Sequence, residues 1–140
     1  MADIAVQPIV LKDVDLTFET DNYAAHTSSA VFTPTTPSVS WQGLSPNATF
    51  TETGSESWTL TLEVAQDWTS VNSLARRLFD GAGTKETVKF APKKGAGLPV
   101  FTAEVTLVAP AIGGAVNEYA TSQVVMGVDG RPVPDYDGTP

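Results

Sequence analysis

The sequence predicts a mainly β protein: an antiparallel β-sandwich or barrel with one flanking α-helix at about residues 70–80, a long projecting loop and extended termini. Three observations predict it. First, the stretch from Ser57 alternates strictly, with Trp58, Leu60, Leu62 and Val64 on one side and Thr59, Thr61 and Glu63 on the other. Period two with polar and apolar residues separated is a half-buried strand. Second, Thr, Val, Gly and Pro are plentiful while Lys, Glu and Leu are sparse, a β-rich composition. Third, one segment alone has helical period. Val71, Leu74, Ala75, Leu78 and Phe79 fall at i, i+3, i+4, i+7 and i+8, with Thr69 or Ser70 to cap the start and Gly81 for a left-handed end. Ser57–Gly83 is therefore expected to supply the central strand of the sheet and a helix covering an edge or open end.

The 140 residues suit a single domain that buries roughly 68–70% of its extended surface on folding. With no cysteine there is neither a disulfide framework nor a Cys-based zinc site. The N-terminus MADIAVQPIVLKD lacks the basic region and apolar run of a signal peptide. No apolar stretch approaches the roughly 20 residues that span a bilayer. A net charge of −8 and a pI near 4.4 argue against wrapping around nucleic acid. An acidic chain can still meet DNA if its task is to keep DNA from sticking.

Taken in order, residues 1–8 form an N-terminal arm too short to bury itself, which needs something to lie on. A first strand is expected over Ile9–Thr20, with Val14, Leu16 and Phe18 on one face. Asp21–Ser28 reads as polar turn and Ser29–Pro34 as the second strand, broken at Pro34-Thr-Thr-Pro37. Ser38–Gln42 carries Val39 and Trp41. The stretch 34–56 separates two well-formed strands by about twenty residues, and loops beyond about 12–15 residues are usually functional or disordered. Gly43–Glu56 would pair with itself as a projecting hairpin turning at Gly54-Ser55. After the helix come strands at Lys85–Pro92, Leu98–Ala109 and Asn117–Val128, with a basic connector Lys93–Gly97 and a turn at Pro110–Gly114. The C-terminal arm, residues 131–140, has three prolines and two acids and forms no independent element.

No catalytic constellation emerges, and the chain reads as a non-enzyme without metal or cofactor. His26 is a lone loop histidine, and no Gly-x-Ser-x-Gly elbow accompanies it. Asp13 and Asp15 share a strand face, most simply a polar outer face. Asp135-Tyr-Asp137-Gly138 resembles the start of a calcium loop whose other ligand positions fall beyond Pro140. Gly81-Ala-Gly83-Thr84-Lys85 follows a helix rather than opening one, so no dipole faces a phosphate. Asn47-Ala48-Thr49 matches a glycosylation acceptor by spacing alone. Arg76 and Arg77 sit off the apolar stripe, either as a solvated face or as a contact to a neighbouring copy.

Several stretches, in this order, resemble the major tail tube proteins of long-tailed bacteriophages, in particular small ones of actinobacterial phages. They are WTLTLEVAQDW (58–68), LARRLFDGAG (74–83), ETVKFAPK (86–93) and PVFTAEVTLVAPAIGGAVNEYATSQVVMGVDGRP (99–132). The resemblance implies a homohexameric ring in which one sheet per subunit joins a continuous β-barrel around a lumen. Rings stack into a tube through a long loop and the terminal arms, and DNA passes through during ejection. It also implies a virion location after assembly in the host bacterial cytoplasm, with a tape measure protein and tail terminator or tip proteins as partners. On this pattern Gly43–Glu56 is the inter-ring loop, with Leu44, Pro46, Asn47, Phe50, Glu52 and Glu56 as contact candidates. The polar strand faces Thr59, Thr61, Glu63, Thr102, Glu104, Thr121 and Gln123 are lumen candidates, and Arg76 and Arg77 are inter-subunit candidates. The alternative is a sandwich-type binding module, for carbohydrate, adhesion or virion decoration, with Trp41 or Trp68 as its stacking platform.

Overall fold

The computed structural model describes residues 2–93, 95 and 97–137. Ten strands and one α-helix follow in order: β1 Asp15–Phe18, β2 Asp21–Asn22, β3 Thr27–Thr35, β4 Ser38–Gln42, β5 Thr49–Thr53, β6 Ser57–Ala65, α1 Leu74–Asp80, β7 Lys85–Ala91, β8 Val100–Thr106, β9 Thr121–Val128 and β10 Val133–Asp135. All ladders are antiparallel. The protein is mainly β with a single α-helix, as the alternation predicts. One sheet runs in the order β2-β1-β7-β8-β9-β6-β3, with β10 on β8, and β4-β5 form a separate ribbon.

The long sheet is hinged. β8 and β9 meet through one register pair, Val105↔Val128, so the path divides into a β2-β1-β7-β8-β10 half and a β9-β6-β3 half. The halves close on a common core. Leu16, Phe18, Val88 and Phe90 from the first meet Leu60, Leu62, Val64, Val124 and Met126 from the second. Leu60, Leu62 and Val64 are fully buried, and each contributes about 1.5–3 kcal/mol relative to exposure. Helix α1 adds Leu74, Ala75 and Leu78 to this core.

Several boundaries differ from the sequence reading. The first strand is confined to Asp15–Phe18: residues 9–13 are exposed and join no strand ladder among the described residues. β8 and β9 are shorter than expected, leaving 107–120 without strand between them. β6 is flanked by β3 and β9 but lies next to the edge of the sheet rather than at its centre. The helix starts later, with Ser73 as its N-cap, its Oγ accepting from the Arg76 N–H at 3.3 Å. The Ser70 and Thr69 N–H groups instead donate to Asp67. Val71 and Phe79 are 76% and 48% exposed, so the buried stripe is narrower than the five-residue pattern. Gly81 closes the helix at φ −97°, outside the left-handed region. In the C-terminal arm, Val133–Asp135 adds to the chain's own β8 and does not stand free. Among the described residues no helix is long and apolar enough to cross a membrane.

Candidate functional site

Three features stand out from the packed body: a projecting ribbon, a nearly uncharged outer sheet face with open edges, and an apolar patch beside the helix.

The ribbon continues the β3–β6 pair past a break. Thr35 pairs with Ser57 in the body, and Ser38 with Thr53 in the ribbon, across the interruption at Thr36-Pro37 and Gly54–Glu56. Gly54 N–H donates to Pro37 O at 2.7 Å and ties the base. The hairpin expected at this stretch is present, but it turns at Gly43–Ala48 rather than at Gly54-Ser55, and its first strand is Ser38–Gln42. Gly43 N–H donates to Ala48 O at 2.7 Å, and the Gln42 side-chain amide donates to Gly43 O and Ser45 O at 3.0 and 3.1 Å. A Cβ at Gly43 would lie 2.8 Å from the Ala48 Cβ and 3.0 Å from the Trp41 ring, so the turn needs glycine there. Every ribbon strand residue is exposed. Val39, Trp41, Phe50 and Glu52 share one face, and Ser, Thr and Gln residues share the other. Trp41 and Phe50 stack at 6.0 Å and 29°, each 63% exposed. A two-stranded ribbon alone is marginal in water, and this one spends its apolar face on solvent.

Of the loop candidates, Leu44, Pro46 and Asn47 occupy the turn and Phe50 and Glu52 lie on β5. Glu56 sits at the base, 3.5 Å from Arg131 on the body.

The second feature is the outer face of β3-β6-β9. Rows across the three strands are Thr33, Thr59, Gly127; Val31, Thr61, Val125; and Ser29, Glu63, Gln123. Glu63 is the single charged side chain in these three strands. Five of the seven lumen candidates, Thr59, Thr61, Glu63, Thr121 and Gln123, lie on this face. Thr102 and Glu104 do not. They stand on β8 opposite Lys89 and Thr87, on the outer face of the other half. Alternation fixes which residues share a side of one strand but not which strands share a sheet.

This half-sheet is open at both edges. β3 ends the strand order with its second edge unpaired among the described residues, and β9 meets β8 only at Val128. At the β3 edge an apolar groove of about 380 Å³ is lined by Phe32, Trp58, Phe90, Phe101, Pro134 and Tyr136, among others. The Trp58 indole N–H is buried there without a hydrogen-bond partner among the described residues, a costly state in an isolated copy.

The third feature surrounds α1. Trp68 meets Phe79 edge to face at 5.9 Å. Arg76 is three residues before Phe79 and so adjoins it on the helix surface. The two arginines have different environments. Arg77 is bound within its own chain by Glu86, Asp21 and Tyr23. Its hydrogen bonds to Glu86 push its pKa further up. Arg76 makes no ion pair among the described residues. Before the helix, hydrogen bonds from Ser70 and then Thr69 hold the Asp67 carboxyl down at about 2.

The remaining candidates are quiet. His26 stands edge to face against Tyr23 in a 3₁₀ turn. Asp15 accepts from Asn22 Nδ2 at 2.7 Å within the β1–β2 turn. Asp137 N–H donates to Asp135 Oδ1 at 3.3 Å, and Gly138 lies outside the described residues, as do Lys94 and Ala96 of the basic connector.

Sequence reasoning missed the Gln66 side chain, whose amide accepts from Gly113 N–H and donates to the Gly113 and Thr121 carbonyls, at 2.8–2.9 Å. It pins the long 107–120 connection to the end of β6. A lone glutamine after a strand carries no pattern that would reveal this.

No family model matches the chain, and no curated protein matches it.

Proposed function

We propose that this chain is a structural subunit of a phage tail tube, forming stacked hexameric rings around a lumen that conducts DNA, with no enzymatic role. The observation that carries this reading is the β3-β6-β9 half-sheet: open at both edges, its outer face bearing Glu63 as the one charge. A wall without cations does not hold phosphate, and a weakly acidic one repels it. β3 and β9 are each antiparallel to β6 and therefore run the same way. Rotation about an axis near the strand direction would set β9 of one copy beside β3 of the next as a parallel pair. Three strands from each of six copies make a barrel in the class of roughly 16–18 strands, which leaves an aqueous channel. Ring closure would also cover the β3 edge and the groove beside it.

In this reading Thr59, Thr61, Glu63, Thr121 and Gln123 line the lumen, and the ribbon bridges rings. The tape measure protein and the terminator or tip proteins are its further partners, within a virion assembled in the bacterial cytoplasm. Negative-stain electron microscopy of the full purified chain tests it. Rings or tubes are expected, and a monodisperse monomer at high concentration under every condition overturns it.

The exposed, stacked Trp41–Phe50 pair favours one second reading, a sandwich-type binding module with that pair as a sugar platform. Calorimetry against glycans separates the two, since the tube reading expects no heat of binding.

A further inference from the structure

We infer that the apolar face of the ribbon docks, head to tail, on the Trp68–Phe79 patch of a second copy, with Glu52 of one copy against Arg76 of the other. This rests on the tube reading and names the surface that receives the ribbon. The two surfaces lie at opposite ends of β6. The ribbon leaves the body at the Ser57 end, and the segment carrying Trp68 and α1 follows the Ala65 end. The nine residues of β6 set those ends roughly 26 Å apart. Translation along β6 therefore brings the ribbon of one copy to the helix side of the next, and the contact repeats without closing, as a tube requires.

The chemistry is complementary. Val39, Trp41 and Phe50 present an apolar strip with Glu52 on the same face. Trp68 and Phe79 present another, with the exposed Val71 three residues after Trp68 in the chain and Arg76 beside Phe79. Val71 and Phe79 belong to an apolar period that the chain's own core leaves exposed. Arg76 keeps its charge available, whereas the next residue, Arg77, is already bound. Two copies of the ribbon face to face would bring together two apolar strips that each carry Glu52 and no cation to pair with it, which disfavours the self-paired arrangement.

Two measurements test this. The first follows tube formation by light scattering and microscopy. Glu52→Arg and Arg76→Glu are each expected to raise the critical concentration by about tenfold, and the double exchange to restore it. Tubes that form equally well in both single variants overturn the contact and leave the tube reading standing. The second needs no tubes. The chain has no cysteine, so Val39→Cys chains mixed with Val71→Cys chains can be oxidised and analysed by mass spectrometry. A predominant 39–71 cross-link is expected. Predominance of 39–39 links, or none above a random control, overturns the contact. A 39–71 link in a protein that never forms tubes would instead keep the contact and remove the tube reading.

Discussion

Arg77 grips Glu86 with both arms of its fork: Nε and Nη2 donate to the two carboxylate oxygens at 2.8 Å each. A third nitrogen, Nη1, reaches Asp21 at 2.8 Å and the Tyr23 hydroxyl at 3.3 Å. One side chain thus ties α1 to β7 and to the turn after β1. The Arg77 and Glu86 side chains are 22% and 19% exposed, so the pair is screened less than a surface pair. Arg77→Ala is expected to destabilise the fold by about 2 kcal/mol. Arg77→Lys keeps the charge but loses the planar fork and should recover less than half of that. Urea unfolding of the three proteins, with Glu86→Gln closing a double-mutant cycle, measures it. A coupling near zero would mean the grip contributes only geometry.

Asp67 makes the start of the helix acid-sensitive. Its folded pKa is depressed from 3.8 to about 2. A depressed carboxylate contributes stability that is full above the unfolded value and is lost as pH falls through the folded one. The loss attached to Asp67 therefore falls between pH 3.8 and about 2. Asp67→Asn should flatten stability against pH in that window, lowering it at pH 7, where the carboxylate's contribution is full, and leaving it nearly unchanged below about pH 2. NMR titration of the Thr69 and Ser70 amides reads the same event locally, and a midpoint near the ordinary carboxylate value would refute the assignment.

Gln66 should govern the order of the connection between β8 and β9. Its amide makes three contacts at 2.8–2.9 Å to Gly113 and Thr121. Gln66→Leu removes them and is expected to cost about 1–2 kcal/mol. More tellingly, it should open 108–119 to limited proteolysis while the amides of β6 keep their hydrogen-exchange protection. Unchanged cleavage would show that the connection is held by something else.

Removing the ribbon should separate folding from assembly. Pro37 O and Gly54 N are already hydrogen-bonded at 2.7 Å, so an Asn-Gly link can replace Ser38–Thr53 without moving the body. All ten strand residues removed are exposed. The shortened chain should melt within a few degrees of the full one, at about 0.5 kcal/mol difference or less, yet form no stacked tubes. Tubes of normal length from this variant would show that the ribbon plays no part in stacking.

The local chemistry of each strand is legible in the letters. Trp58 to Val64 alternates, and the structure buries Leu60, Leu62 and Val64 while turning Thr59, Thr61 and Glu63 outward, because a strand has only two faces. The letters also indicate that the stretch before Ser57 projects, although Pro34 and Thr35 stay paired with Trp58 and Ser57 in the body, and that one helix covers the core. Which strands share a sheet emerges only on folding. Folding placed Thr102 and Glu104 on a different half from Thr59 and Gln123, a matter of long-range pairing that period two does not encode. It set the ribbon turn at Gly43–Ala48, where close approach of Ala48 and Trp41 leaves no room for a side chain. It also left Val71 and Phe79 outside the core, because the width of a helical stripe depends on what surface is there to receive it. Arg76 and Arg77, adjacent and equal as letters, part company for the same reason: among the described residues Arg77 pairs with Glu86 and Arg76 makes no ion pair.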